Sequence, residues 1–163
     1  MALAFSRLNK RLHDRDSFAC GVDALDIYLQ RHAGQHQRDG IATTHVLIDD
    51  TNPSRILGYC SLAAAQLHLQ ELLEKDRKKL PSYPVPAMRV GRLAVAKTEH
   101  GKGYGQRLLG YVIDLALLVR DVMGVRALVV DAKDEQAAAF YEAFGFQRCM
   151  SGALTLYLPI LQK

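Results

Sequence analysis

The segment HGKGYG, residues 100–105, sets how the rest of the chain is interpreted. It lies between a predicted strand, Met88–Ala96, and an apolar run from Leu108 onward that predicts a long helix. Backbone N–H groups converge at a helix N-terminus, and glycines at alternate positions let a ligand approach them closely. The segment therefore predicts a phosphate-binding loop to which Lys102 adds a point charge. The alternative is a tight turn that needs positive φ.

Two familiar nucleotide-binding loops do not fit these glycines. A Walker A loop needs a lysine followed by Ser or Thr after its last glycine, and the segment has none. The dinucleotide-binding pattern G-x-G-x-x-G places its third glycine at Leu108. The pattern that does match is Q/R-x-x-G-x-G/A, with Gly103 and Gly105 at the glycine positions and His100 where Gln or Arg is usual.

Length and composition favour one compact domain spanning residues 1–163. Apolar residues at 49% and charged residues at 23% are average for globular proteins, which excludes disordered and fibrous classes. The net charge of +4 permits an anionic partner without proving one. The cysteines Cys20, Cys60 and Cys149 form no C-x-x-C pair, which favours a reducing compartment and packing roles. Without an export or membrane-spanning pattern, we expect a cytoplasmic protein.

The remaining pattern predicts a mixed α/β domain with the element order β-α-β-β-α-β-α-β-α-β-β. The predicted strands are Leu3–Leu8, Thr43–Asp49, Arg55–Ala64, Met88–Ala96, Arg126–Asp131, Gln147–Met150 and Leu154–Leu158. The predicted helices are Asp23–Gln37, His68–Lys79, the run after Gly105 as far as Val119, and Asp134–Phe144. The helix after the glycines is apolar on nearly all sides, which predicts burial, and Asp134 is the expected N-cap of the last helix.

The glycine pattern resembles the diphosphate loop of the GNAT N-acetyltransferases. RLAV at 92–95 is similar to the fourth strand of that superfamily, and AAFYEAFGF at 138–146 is similar to its A-x-x-F-Y-x-x-x-G-F helix. The resemblance covers essentially the whole chain. It implies the GNAT fold, an α/β fold with a mixed central sheet whose fourth and fifth strands splay apart, flanked by helices.

Three further segments resemble one branch of that superfamily, the GNAT toxins of bacterial toxin-antitoxin pairs. They are FACG at 18–21, LDIYL at 25–29, and LPSYPVP at 80–86 leading into GRLAV at 91–95. The resemblance implies acetylation of the amino group of aminoacyl-tRNA, which stops translation, with a ribbon-helix-helix antitoxin and a second copy of the chain as partners. Two alternatives stay open: acetylation of a small-molecule amine or a protein N-terminus, and a catalytically silent acyl-CoA-binding subunit.

The resemblance also implies acetyl-CoA as the cofactor, held between the splayed strands with its diphosphate on the glycine-loop amides. Backbone groups of Leu93 and Val95 would pair with the pantetheine arm as an added strand, and one N–H would face the thioester oxygen. The residues implied for cofactor binding are Leu93, Ala94, Val95, His100, Gly101, Lys102, Gly103, Tyr104, Gly105 and Gln106.

Tyr141 occupies the position of the family's general acid, which protonates the departing CoA thiolate. The ordinary tyrosine pKa of about 10 keeps the phenol protonated at neutral pH. The alternative is a core tyrosine, because Ala137, Phe140 and Phe144 share its helix. An α-amino group titrates at about pH 8 and attacks without a strong base, which favours an aminoacyl substrate over lysine. No Asp or Glu stands out as a base.

Cations around the fourth strand are the candidates for binding tRNA phosphates. They are Arg77, Lys78, Lys79, Arg89 and Arg92. Arg92 matches the toxin pattern and is the first choice, whereas acidic residues between positions 71 and 76 also allow a merely solvated face for the others. His32 and His36 lie one helical turn apart but lack a H-E-x-x-H arrangement or a third ligand, so we expect surface histidines and no metal.

Overall fold

The computed structural model describes residues 1–78, 80–152 and 154–161 and confirms the α/β class. Its strands are β1 (Leu3–Arg7), β2 (Thr43–Asp49), β3 (Gly58–Leu67), β4 (Val85–Val95), β5 (Ala127–Asp131), β6 (Gln147–Arg148) and β7 (Thr155–Pro159). Its α-helices are α1 (Asp23–Ile27), α2 (Ala33–Arg38), α3 (Glu74–Arg77), α4 (Tyr104–Arg120) and α5 (Glu135–Ala143). A π-helical segment, Tyr28–His32, joins α1 to α2, and 3-10 turns occupy Leu69–Glu71 and Lys97–Glu99.

The described strands form a seven-stranded mixed sheet in the order β1-β2-β3-β4-β5-β7-β6. The pairs β1-β2, β2-β3, β5-β7 and β6-β7 are antiparallel. Strand β4 pairs in parallel with β5 from Ala87 opposite Ala127 to Val90 opposite Val130, and β4 itself continues to Val95. The four β5 residues in this pairing are at most 1% exposed. Such burial is typical of a covered strand with a parallel neighbour.

The chain folds as two compact units, and the first contains residues 1–63 and 91–112. It holds the glycine loop, the last residues of β4 and the start of α4. Its core gathers buried side chains from the N-terminal strand through to the end of β4, among them Phe18, Tyr28, Leu29, Val46, Tyr59 and Ala94. Helix α2 packs on β2 within this unit.

The second unit contains residues 64–90 and the chain from residue 113 onward. It holds the first half of β4, strands β5 to β7, and helix α5, which contacts β7. Its core includes Leu67, Leu72, Val85, Val129, Cys149 and Tyr157. All three cysteines lie in the described ranges, and each is buried outside any disulfide, which agrees with packing roles.

The predicted helix from Asp23 to Gln37 is interrupted by the π-helical segment. The Ala33 N–H donates to the Tyr28 carbonyl five residues back, the hydrogen-bond spacing of a π turn. Tyr28 at 3% exposure and Ala33 at 0% both lie in the first unit's core. The wider turn places residues five apart on the same buried face. The period of the apolar residues did not reveal it.

The helix predicted over His68 to Lys79 is wrong except for one turn, α3. The Tyr157 hydroxyl accepts a hydrogen bond from the Leu73 N–H at 2.8 Å and donates to the Asp76 carboxylate at 2.6 Å. Leu72 is buried in the same core as Tyr157. These long-range contacts break the segment into two short turns. Lys79 lies outside the described residues.

The bounds of β3 and β4 differ most from expectation. Strand β3 begins at Gly58 rather than Arg55, because the Arg55 N–H closes a turn onto the Asn52 carbonyl at 3.2 Å. Strand β4 begins at Val85 rather than Met88, inside the proline-rich segment 80–86. Pro86 is exposed within β4, and its carbonyl accepts a hydrogen bond from the Arg126 N–H at 2.9 Å. A proline near the start of a strand lacks only one donor, which the strand tolerates.

Helix α4 is buried along one side, so the predicted burial is confirmed for that side although apolar residues lie on nearly all sides. Leu108, Leu109 and Val112 are fully buried, whereas Leu117 and Leu118 are 42% and 64% exposed.

No helix within the described ranges has both the length and the apolarity needed to cross a membrane.

The predicted N-cap of the last helix is confirmed. The Asp134 Oδ1 accepts a hydrogen bond from the Ala137 N–H at 2.8 Å, and Gly145 follows the helix with a φ of 96°. We expect Asp134→Ala to lower the free energy of unfolding by about 1 kcal/mol, measured by urea denaturation, because a first-turn N–H loses its acceptor. Asp134→Asn keeps a side-chain acceptor and is the control; an equal loss in both variants would contradict the capping role.

Candidate active site

The glycine loop turns into α4 with an open space above it. Gly101 and Gly103 have φ values of 84° and 79°, in the left-handed region that favours glycine. A Cβ added at Gly101 would meet nothing within 4 Å, and one at Gly103 would meet only the Gln106 side chain at 3.7 Å. The positive φ values confirm the tight turn, and the space above both glycines is open, so the phosphate-binding loop stays a prediction.

The side chains of His100 and Lys102 stabilise this loop through polar contacts with neighbouring residues. The His100 Nε2 lies 2.8 Å from the Val95 carbonyl oxygen, which ties the loop to the end of β4. Lys102 forms an ion pair with Glu99, and Glu99 also accepts a hydrogen bond from the Arg55 guanidinium at 2.8 Å. The hydrogen bond from Lys102 lowers the pKa of Glu99, although burial opposes this. Arg55 and Lys102 are cations and Glu99 is an anion, so the net charge of these three side chains beside the loop is +1.

Arg55 and Glu99 are site residues that sequence reasoning missed. Their side chains meet across 44 positions of the chain, and Glu99 is only 6% exposed. Nothing in the local pattern around either residue pointed to the other. A carboxylate one turn before a lysine was the available signal for the Glu99 to Lys102 pair.

The residues expected to pair with the pantetheine arm lie at the end of β4. Leu93 and Val95 are half-buried and Ala94 is buried. Gly58 of β3 approaches closely here, because a Cβ at Gly58 would lie 2.9 Å from the Ala94 carbonyl oxygen. The end of β4 thus packs closely against β3.

Tyr141 lies on α5 in the second unit and is 6% exposed. Its ring contacts those of Phe140 and Phe146 at centroid distances of 5.3 and 5.6 Å. Arg148 binds Glu135 and Glu142 at 2.7 and 3.1 Å, so an ion-pair bridge joins α5 to β6. Helix α5, which carries Tyr141, is therefore stabilised by the Asp134 N-cap and by the ion pairs of Glu135 and Glu142 with Arg148.

The candidate tRNA-binding cations differ in how they are paired. The Arg92 guanidinium lies 3.5 Å above the centre of the Tyr28 ring, whereas Arg89 forms an ion pair with Asp131. Arg77 is half-buried at the end of α3 and Lys78 is exposed. Among the described residues, no carboxylate forms an ion pair with Arg92.

His32 lies in the π-helical segment and His36 in α2, and both rings contact the Tyr28 ring. The Tyr28 hydroxyl and the His36 Nδ1 are 3.0 Å apart, and the His32 and His36 rings are 6.3 Å apart. Across the described part of the chain, no three metal-ligating side chains come together. The His36 ring is committed to Tyr28, so it serves the packing of this segment.

Comparison with known proteins identifies the family of this chain. Residues 40–148 match the acetyltransferase (GNAT) domain. The chain belongs to the GNAT family of acetyltransferases. This GNAT chain is 32% identical over 157 residues to the tRNA-acetylating toxin of Mycobacterium tuberculosis, a match that covers 94% of the chain and 91% of the relative.

Solved GNAT structures are also similar to this chain. One is AtaT complexed with acetyl-methionyl-tRNAfMet, with a TM-score of 0.90, 26% identity, and coverage of 97% of this chain and 95% of that one. Another is a tyrosine-to-phenylalanine mutant of the AtaT toxin bound to the C-terminus of the antitoxin AtaR, with a TM-score of 0.81, 25% identity, and coverage of 97% and 93%. The predicted GNAT fold is thereby confirmed.

Proposed function

We propose that this chain, as one catalytic domain, transfers the acetyl group of acetyl-CoA to the α-amino group of aminoacyl-tRNA. Inhibition of translation follows, as expected for the toxin of a toxin-antitoxin pair. The observation that carries the proposal is the match along 94% of the chain to a tRNA-acetylating toxin. The open, positive-φ glycine loop adds physical support, because it fits the diphosphate of the acyl donor.

The cofactor-binding roles follow from the loop and the end of β4. Amides from Gly101 to Gly105 bind the diphosphate at the start of α4, a helix of 17 residues. The main chain of Leu93 and Val95 binds the pantetheine arm as an added strand. Acetyl-CoA supplies the activated thioester. His100 and Lys102 act through their contacts to Val95 and Glu99, which hold the loop in place.

The transfer itself requires one nucleophile and one acid. The neutral α-amine attacks the thioester carbon, so that a C–N bond forms, the C–S bond breaks and the amine loses a proton to solvent. Tyr141 donates its phenolic proton to the departing thiolate, and the phenolate then takes up a proton from solvent. Because an α-amine has a pKa of about 8, a sizeable neutral fraction exists at pH 7 without a dedicated base.

The decisive experiment supplies purified protein with labelled acetyl-CoA and either charged or uncharged tRNA. We expect label only with charged tRNA, released as an N-acetyl amino acid when the ester bond is hydrolysed. If free amines are labelled whether or not tRNA is present, the result would instead support the alternative, a GNAT that acetylates a small amine or a protein N-terminus.

Arg92 is our first choice for binding a tRNA phosphate, since its charge is not neutralised by a described carboxylate. We expect Arg92→Ala to raise the KM for charged tRNA on the order of 10- to 100-fold, the usual range for a charge-assisted hydrogen bond. The affinity for acetyl-CoA stays near normal in calorimetry. Arg11→Ala, at an exposed arginine of the same unit, is the control. Equal losses for both substrates would rule out a tRNA-specific role.

Two partners complete the proposal. The complex of AtaT with the C-terminus of AtaR supports an antitoxin for this chain, and we expect a ribbon-helix-helix protein encoded beside its gene. We also expect a homodimer, measured by light scattering. Aminoacyl-tRNA is consumed in the cytoplasm, so the enzyme acts there.

A further inference from the structure

Tyr28, in the π-helical segment, contacts Arg92 of β4, a candidate substrate residue. The Arg92 guanidinium carbon lies 3.5 Å above the Tyr28 ring centre, well inside the distance at which cation-π attraction acts. Tyr28 is 3% exposed in the first unit's core. Burial raises the pKa of Tyr28, so the phenol is neutral at physiological pH.

Stacking leaves the hydrogen-bonding edge of the guanidinium available. The five N–H donors of arginine lie in the plane of the group, whereas the Tyr28 ring covers one face. Within the described ranges, Arg92 donates no side-chain hydrogen bond and forms no ion pair, unlike Arg89 and Arg148, which bind carboxylates. The Tyr28 ring covers one face of the Arg92 guanidinium, and the N–H groups at its edge can bind a phosphate.

The π-helical segment fixes the ring that holds the cation. Tyr28 is the first residue of this segment, and its carbonyl accepts the hydrogen bond from the Ala33 N–H. At the far end of the side chain, the Tyr28 hydroxyl meets the His36 Nδ1 at 3.0 Å. Main chain and hydroxyl are therefore both anchored, and the ring face has little freedom to move away from Arg92.

We propose that Tyr28 is a positioning residue, whose ring orients the Arg92 guanidinium so that its N–H edge binds a phosphate of the aminoacyl-tRNA acceptor end. This rests on the proposed function. It adds a residue that contacts no substrate itself but determines how well the tRNA is bound. The π-helical segment thus contributes to tRNA affinity through the contact between Tyr28 and Arg92.

Four variants test this by steady-state kinetics. Tyr28→Leu removes the ring, and Tyr28→Phe keeps the ring but loses the hydroxyl. We expect Tyr28→Leu to raise the KM for charged tRNA on the order of 5- to 30-fold, with acetyl-CoA affinity unchanged, and Tyr28→Phe to stay within about twofold of wild type. In an Arg92→Ala background, Tyr28→Leu adds less than about twofold, since the stacked partner is already gone. Phe18→Leu, in the same core cluster without contact to the cation, leaves the KM for tRNA near normal.

The outcomes separate this inference from the proposed function. Wild-type protein that acetylates no charged tRNA refutes both together. If the wild type is active, two results refute the positioning role alone. One is that Tyr28→Leu raises the KM for charged tRNA equally in the presence and absence of Arg92. The other is that Phe18→Leu raises this KM as much as Tyr28→Leu does. If circular dichroism shows that Tyr28→Leu does not fold, Arg92→Lys replaces it: the core stays intact and the planar stack is lost. An unchanged KM for tRNA in Arg92→Lys then overturns the proposal.

Discussion

Replacing Tyr141 with phenylalanine lowers the turnover of charged tRNA on the order of 10²- to 10⁴-fold, because the departing thiolate loses its proton donor. The measurement is a single-turnover rate with saturating acetyl-CoA, which separates chemistry from binding. The affinity for acetyl-CoA changes little, since the phenol hydroxyl adds nothing to the diphosphate contacts.

The alternative role of Tyr141, a purely structural core residue, predicts a different result. Packing of its ring against Phe140 and Phe146 survives in the phenylalanine variant, so a structural role would leave turnover intact and affect only stability. Tyr111→Phe is the matched control, because its hydroxyl lies 2.7 Å from the His45 Nδ1 and takes no part in the proposed chemistry. Unchanged turnover in the Tyr141 variant removes this residue from the mechanism.

Replacing Gly103 with valine weakens acetyl-CoA binding on the order of 10- to 100-fold. A β-branched residue is strained at a φ of 79°, so the loop moves away from its native path, and the new side chain occupies the open space above the amides. Isothermal calorimetry with acetyl-CoA and with free CoA measures the loss directly.

Gly40 provides the control for backbone strain in this experiment. It has a φ of 74°, and an added Cβ would meet nothing within 4 Å, yet it lies outside the glycine loop. Gly40→Val therefore lowers stability by a comparable amount and leaves the affinity for acetyl-CoA unchanged. Equal affinity in the Gly103 variant and wild type would refute the diphosphate site, and a folded wild-type protein that gives no heat with either ligand would refute the acyl donor itself.

Local signals in the sequence accounted for the central parts of the fold. Strand β2 matches its predicted bounds, and Asp134 caps the helix that carries Tyr141. The glycines at 101 and 103 adopt the positive φ that the turn requires. Each of these depends on residues within a few positions of one another, so alternation, capping and backbone conformation could be recognised without knowing the rest of the structure.

Tertiary contacts decided what surrounds the candidate site. The Tyr157 hydroxyl ends the predicted helix before α3, and the core position of Tyr28 widens a turn into a π-helical segment. Arg92 stacks on Tyr28, whereas Arg89 forms an ion pair with Asp131, and the sequence did not show this difference in their partners. Whether a cation is paired depends on which side chains the sheet brings beside it, and no periodicity records that. Residue types and local spacing thus predicted the family, the turn at the glycines and Tyr141 as the candidate acid, while long-range packing determined which cations lack an acidic partner.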